Sequence, residues 1–317
     1  MTAASPLRAA RVRVPCSTSN LGSGYDTIGL ALDRYLDVTF LPDDSGTVAV
    51  ERTGTLARVP EGPAEDLVAS TMTTRLGSVG IQPSGLLRMH SDAPSARGLG
   101  TAAAAVLAGY DLSHAVLGEP GDDDAAFDAA LRHEGHGDNA APSLYGGLRA
   151  IARTADGPVV IGLTLSPEVG FAYAAPSARI STREARSLLP KQVPHRMAAA
   201  SLGRLVALVR GLAEANPELL RIGVTDELHV PHRLALIPSA ASAISAALDV
   251  GAWAVTVSGA GSGLVAMADP ADTDAVAAAM HDVFDAGAGD PECVGFTTRP
   301  STTGLERLPP ERVDSAG

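Results

Sequence analysis

The residues with the clearest chemical reading lie between Asp92 and Gly109. There a polar, proline-bearing loop meets Gly98 and Gly100, and an alanine-rich helix begins at once at Thr101. Glycines let a backbone turn tightly and approach a ligand closely. A helix start offers unpaired N–H groups and a partial positive charge, which suits a phosphate or a carboxylate. This is not a Walker loop, because no G-K-[ST] follows and Lys191 is the only lysine in the chain. An anion held here must rely on backbone amides, the helix dipole and Arg97. A lone glycine turn before an ordinary helix gives the same pattern. The weight therefore comes from two more glycine loops, Ser17 to Asp26 and Ser258 to Gly263. Other candidates carry less. His90, His133, His136, His195, His229 and His232 show no metal-ligand spacing, although His136 and His229 lie in motifs that could line a cleft. Asp122 to Asp124 read as an acidic helix start. Neither Cys16 nor Cys293 has an evident histidine partner, so a thiol nucleophile is not expected.

These residues need elements to hold them. The chain of 317 residues is long enough for two modest domains or one large one. Its apolar content of 45% with only 3% aromatics implies a core of Ala, Val and Leu. A formal net charge of -12 disfavours nucleic acid or an anionic membrane as partner, so an anionic small substrate must meet a local basic patch. Two cysteines make no disulfide framework, and a cytoplasmic location is expected. The first residues lack the apolar run of a signal peptide. No stretch approaches the ~20 apolar residues of a membrane span.

Strand-like alternation marks residues 9–16, 35–41, 47–52 and 85–90, with 47–52 read as the next strand of a meander or hairpin. Helical spacing marks 65–76, the segment from Thr101 to about Leu117, and the run from Asp122 to about His133. Strands are expected at 148–153, 159–165, 170–174, 252–257 and 264–268. Helices are expected at 182–189, 193–216, 238–248 and 272–286. The tail from about Pro300 reads as loose. Strands and helices mix without strict alternation, which argues an α+β protein of two domains. The boundary is placed near Ser166, giving 1–165 and 166–317.

Several segments resemble one family in order. Val14-Pro-Cys-Ser-Thr-Ser-Asn-Leu-Gly-Ser-Gly-Tyr-Asp resembles V-P-A-T-S-A-N-L-G-P-G-F-D. The stretch around Arg97-Gly-Leu-Gly-Thr-Ala resembles P-x-x-R-G-L-G-S-S-A-A-A, and Ser258-Gly-Ala-Gly resembles S-G-A-G-P-T. These are the three motifs of the GHMP small-molecule kinases. Glu134-Gly-His-Gly-Asp-Asn-Ala-Ala-Pro, Ser181-Thr-Arg-Glu-Ala-Arg and Asp226-Glu-Leu-His-Val-Pro-His-Arg resemble segments of homoserine kinases, and the likeness runs from about residue 10 to 270. The resemblance implies a GHMP-kinase-like fold: an N-terminal nucleotide domain with a left-handed βαβ unit, and a ferredoxin-like C-terminal domain. It also implies ATP-dependent phosphoryl transfer to the side-chain hydroxyl of homoserine or a similar short hydroxy amino acid.

Carried over by motif position, the amino acid would be held by Asn20, Asp26, Asn139, Arg186 and Arg233. Asp26 would meet the ammonium, the arginines would grip the α-carboxylate, and the asparagines would orient the hydroxyl. ATP would lie on Arg97, Gly98, Leu99, Gly100, Thr101 and Ala102, with Gly259 and Gly261 opposite. Mg²⁺ would be held by Glu134 and Thr101, and Asn139, Thr101 and Glu134 would serve catalysis. The phosphate side departs from the family pattern. Thr101 and Ala102 stand for two serines, and Ala102 offers no oxygen. Asp66 stands for an asparagine near the adenine pocket and would bring a negative charge there. Ser262-Gly263 replaces Pro-Thr, and Gly137 replaces a proline. A second reading keeps the amino-acid pocket but drops ATP, as a lyase, dehydratase or cyclase. A third is an amino-acid-sensing binding protein. A homodimer is compatible with each.

Overall fold

The computed structural model describes residues 7–59, 65–287 and 289–310. Alternating apolar positions at the amino end build β1 (Ala10–Ser19), whose Val12 and Val14 are fully buried. It pairs antiparallel with β2 (Ile28–Pro42), with Val12 opposite Val38. The turn at Asp43 leads to β3 (Val48–Gly54), but no meander forms. The strand β4 (Gly85–Ser91) inserts between β2 and β3, antiparallel to the first and parallel to the second. Alternation reports which face is buried and not which neighbour a strand will choose, so the sequence pattern left this open. A parallel pair needs a crossover. Here it is α1 (Leu67–Ser78), completing a βαβ unit.

Next come α2 (Thr101–Leu117), α3 (Asp123–Glu134) and α4 (Ala140–Tyr145). The acidic run does start α3, since the Asp122 carboxylate accepts from the Ala125 amide at 3.0 Å. A hairpin of β5 (Leu148–Thr154) and β6 (Gly157–Leu163) joins the sheet through β2. The small alanines of α2, including Ala103, Ala104 and Ala108, are buried in the core under this sheet.

A second sheet follows from β7 (Gly170–Ala175), β8 (Ala254–Val257), β9 (Leu264–Ala268) and β10 (Val294–Thr298). Its order β10-β7-β9-β8 is antiparallel throughout. Between β7 and β8 lie α5 (Thr182–Ser187), α6 (His195–Glu214), α7 (Pro217–Val224), α8 (Val230–Leu234) and α9 (Ala240–Asp249). Between β9 and β10 lies α10 (Thr273–Asp282). The resulting β-α-β-β-α-β order is ferredoxin-like. The sequence reading missed α7 and α8 because Pro217 and Pro231 look like breakers. Both stand in the first turn, where proline has no intrahelical bond to lose.

Strand β7 joins the two halves. Phe171 and Tyr173 face the core that runs under the first sheet, while Ala172 and Ala174 face a second core with α9 and α10. The expected loose tail is a correction, at least through residue 310. After β10 the chain returns to add β11 (Glu306–Leu308) to β1 in the first sheet. Arg307 there holds the buried Asp111 carboxylate with two hydrogen bonds of 2.8 Å, from Nε and Nη2. The remainder of that tail lies outside the described residues.

Candidate active site

The three glycine loops converge. The Ser17 amide donates to the Leu99 carbonyl at 3.2 Å, and the Gly259 amide to the Ser19 carbonyl at 3.0 Å. Ser258 Oγ donates to the Gly98 carbonyl at 2.7 Å and stands 2.8 Å from the Thr18 hydroxyl. This contact explains why glycine is required. Gly98 has φ +83, and a Cβ there would stand 2.0 Å from the Ser258 carbonyl oxygen. Gly100 has φ +60, and a Cβ there would stand 2.3 Å from Ser17 Oγ and 2.7 Å from Asn139 Oδ1. The glycine loop is thus pressed against both of its neighbours, and α2 starts from it without a side-chain cap.

Along this seam runs a cleft of about 370 Å³. Its lining includes the apolar Leu56, Val59, Leu67 and Met89. Gly98, Leu99, Gly100, Thr101 and Ala102 line it as well, beside Gly259 and Gly261, which pack against Gly98. First-turn amides without a cap can accept an anion here. Arg97 is the exception among the residues assigned to this side. It does not line the cleft, and its guanidinium donates to the Glu292 carbonyl at 3.2 Å. Its carbonyl, not its charge, builds the site, accepting from the Tyr173 hydroxyl and the Gly263 amide. Asp66 also behaves differently from its sequence reading. It caps α1 through the Ala69 amide and pairs with Arg52 at 2.7 Å, so its charge at the cleft wall is compensated.

Glu134, the last residue of α3, and Asn139, just before α4, line the same cleft. Burial pushes the Glu134 carboxyl up to about 7, with His136 opposing and Asp138 adding to the shift. Its Oε2 is buried and has no hydrogen-bond partner among the described residues. A buried carboxylate oxygen left unpartnered costs free energy unless something binds it. Together with the Thr101 hydroxyl on the same cleft, this is a hard-oxygen donor set that fits Mg²⁺.

On the amino-acid side, Asn20 and Asp26 both adopt positive φ, at 71° and 53°, in a loop closed on itself. The Asn20 side chain accepts from the Asp26 amide at 2.9 Å and donates to the Gly259 carbonyl at 3.0 Å. Arg233, 1% exposed, donates to that same carbonyl at 2.6 Å. Arg186 from α5 pairs with Asp26 at 2.6 Å and donates to the Tyr25 hydroxyl at 3.0 Å. The Tyr25 ring has Arg186 at 5.7 Å and Arg233 at 5.3 Å, and it stacks on His229 at 4.9 Å. The Nε atoms of both arginines are buried without partners among the described residues.

His136 and Asp138 form a short buried hydrogen bond. Burial alone would neutralise both, but each holds the other charged, so the carboxyl stays below its usual range and the imidazole above. Ligand atoms of Asp26, His136 and Asp138 lie within 4.8 Å of one another. The Arg186 guanidinium already supplies a cation to Asp26 in this cluster. Tyr25 and Asp138 escaped the sequence reading although each adjoins a residue it chose, Asp26 and Asn139.

Family models for the GHMP kinases N terminal domain and the GHMP kinases C terminal match residues 65–147 and 205–286. The chain is 36% identical over 271 residues to a homoserine kinase of Microchaete diplosiphon, covering 85% of this chain and 88% of that one. A homoserine kinase of Moorella thermoacetica is 36% identical over 256 residues, covering 80% and 86%. Among solved structures, homoserine kinase from Cytophaga hutchinsonii superposes with a TM-score of 0.82 at 26% identity, covering 97% of this chain and all of that one. The lyase, dehydratase or cyclase reading finds no support in these relatives. No helix among the described residues is long and apolar enough to cross a membrane.

Proposed function

The chain belongs to the homoserine kinase family of GHMP small-molecule kinases, and from that premise we propose that it transfers the γ-phosphoryl group of ATP to the hydroxyl of homoserine. The observation that carries this reading is the meeting of two unlike sites at one seam. An uncapped helix start with its glycine loop adjoins a pocket of paired opposite charges, and the Gly259 carbonyl, which accepts from Asn20 and Arg233, lies on the cleft between them.

The incoming amino acid is a zwitterion, and the pocket is its mirror. The ammonium takes Asp26 and the α-carboxylate takes Arg186 and Arg233, whose unpartnered Nε groups complete forked bonds. Asn20 and Asn139 orient the hydroxyl. The amides of Gly98 to Thr101 hold the phosphates through the helix dipole. Mg²⁺, held by Glu134 and Thr101, would supply neutralisation of phosphate charge. Catalysis is then positioning plus charge stabilisation: the hydroxyl oxygen is held in line with the phosphorus while the ADP oxygen departs.

The test is ADP release with homoserine, with and without Mg²⁺, in wild type and Glu134→Gln. Homoserine- and Mg²⁺-dependent release is expected in wild type. In Glu134→Gln turnover falls by orders of magnitude while homoserine binding holds. No ADP release from wild type with any short hydroxy amino acid overturns the reading.

A further inference from the structure

We propose that Arg179, contributed by the C-terminal half of the chain, binds the phosphate chain of the nucleotide in the cleft at the start of α2. The inference rests on the kinase reading above and adds a residue to it. Among the described residues two arginines line the cleft, Arg52 and Arg179, and no lysine does. Arg52 is committed to Asp66 at 2.7 Å. Arg179 is exposed, and among the described residues its side chain makes no hydrogen bond or ion pair. It is the uncommitted cation of the cleft.

Its place is set by its neighbours. Ala178 accepts a short hydrogen bond from Ser262, and Ile180 is buried with its tip 3.5 Å from where a Cβ of Gly261 would stand. Arg179 is therefore carried on a segment anchored to the Ser258–Gly263 loop, which packs against Gly98 at the start of α2 and lines the same cleft. The physical need is plain. A nucleoside triphosphate is a polyanion entering a chain of net charge -12, into a cleft that also holds Asp66 and Glu134. Ala102 supplies no side-chain donor, and Arg97 is turned to Glu292. A guanidinium can reach two phosphate oxygens at once, which a single amide cannot.

The experiment compares ATP and AMP binding to wild type, Arg179→Ala and Arg179→Lys by calorimetry, with the KM for homoserine alongside. Arg179→Ala should weaken ATP roughly ten- to a hundredfold, as for loss of a charge-assisted bond. Binding of AMP, which lacks the outer phosphates, and the KM for homoserine should hold. Arg179→Lys should recover part of the loss. Equal ATP affinity in wild type and Arg179→Ala overturns the inference, as does an equal loss for ATP and AMP, which would signal a structural disturbance. A wild type blind to ATP overturns the kinase reading itself, and this inference with it.

Discussion

Arg186 and Asp26 hold each other at 2.6 Å in the pocket proposed above for the zwitterion. The pair keeps two half-buried charges satisfied, and in the proposed reading ammonium and carboxylate trade partners with them. Arg186→Ala removes one jaw and leaves Asp26 without its counter-ion. The KM for homoserine should rise by at least tenfold, equivalent to about 1.5–3 kcal/mol for a bond to a charged group. Binding of ATP should be unchanged. Arg233→Ala should act the same way, because both guanidiniums border the Tyr25 ring. Unaltered homoserine kinetics in both variants would remove them from the substrate.

The Gly98 contact makes a controlled comparison possible. Gly98 and Gly80 share nearly the same backbone, φ +83 and +79, but a Cβ at Gly80 meets nothing within 4 Å. Gly80→Ala should therefore cost only the left-handed strain of about 1–2 kcal/mol. Gly98→Ala adds a collision with the Ser258 carbonyl and should cost clearly more, with ATP binding lost as the loops part. Urea midpoints of the two variants are the check, and equal shifts would mean the loops are not locked by this contact.

The limits of the sequence follow from what each signal encodes. The three glycine loops were legible because close backbone packing demands glycine, and Gly98, Gly100 and Gly259 are pressed against neighbouring backbone or side chains. Helix starts were legible wherever an Asp or Ser cap stands, as at Asp122 and Ser181. Pairing between distant segments was not. Nothing local says that β4 separates β2 from β3, or that β11 returns to β1. Charges were harder still. Asp66 reads as a carboxylate facing a nucleotide, yet Arg52, fourteen residues earlier, reaches it across from β3. Arg97 reads as a phosphate ligand, yet Glu292 takes its guanidinium. A side chain's identity fixes its charge, whereas its partner depends on the whole fold.

With Asp66 compensated, Ala102 is the departure from the family pattern in the first turn of α2. It lines the cleft in the first turn of α2, where a hydroxyl would add a donor beside the amides. Ala102→Ser should improve kcat/KM for ATP severalfold, in line with about 0.5–1.5 kcal/mol for one added hydrogen bond. Steady-state kinetics at saturating homoserine decide it. A fall in kcat/KM would mean that the small side chain is needed for the nucleotide to fit.

Acid sensitivity should trace to His229. Its ring is fully buried and stacked on Tyr25. Nε2 stands 2.8 Å from the Gly22 carbonyl, which can only accept, so Nε2 carries the proton. Nδ1 is buried without a partner among the described residues, and a second proton there would be an unsatisfied buried donor. Burial, with the nearby Arg233 cation adding to it and Asp226 opposing, pushes this imidazole down from 6.5 to about 4. The unfolded chain therefore binds a proton near its ordinary value while the folded chain does not. Stability contributed by the neutral ring is complete above about pH 6.5, falls as the pH drops, and levels out near pH 4. The full loss amounts to about 3 kcal/mol. His229→Gln keeps a donor for Gly22 and cannot titrate. Urea unfolding at about pH 7.5 and about pH 5 should show a smaller loss of stability on acidification in His229→Gln than in wild type, whatever the baseline cost of the substitution. Equal losses in the two proteins would place the acid-labile group elsewhere.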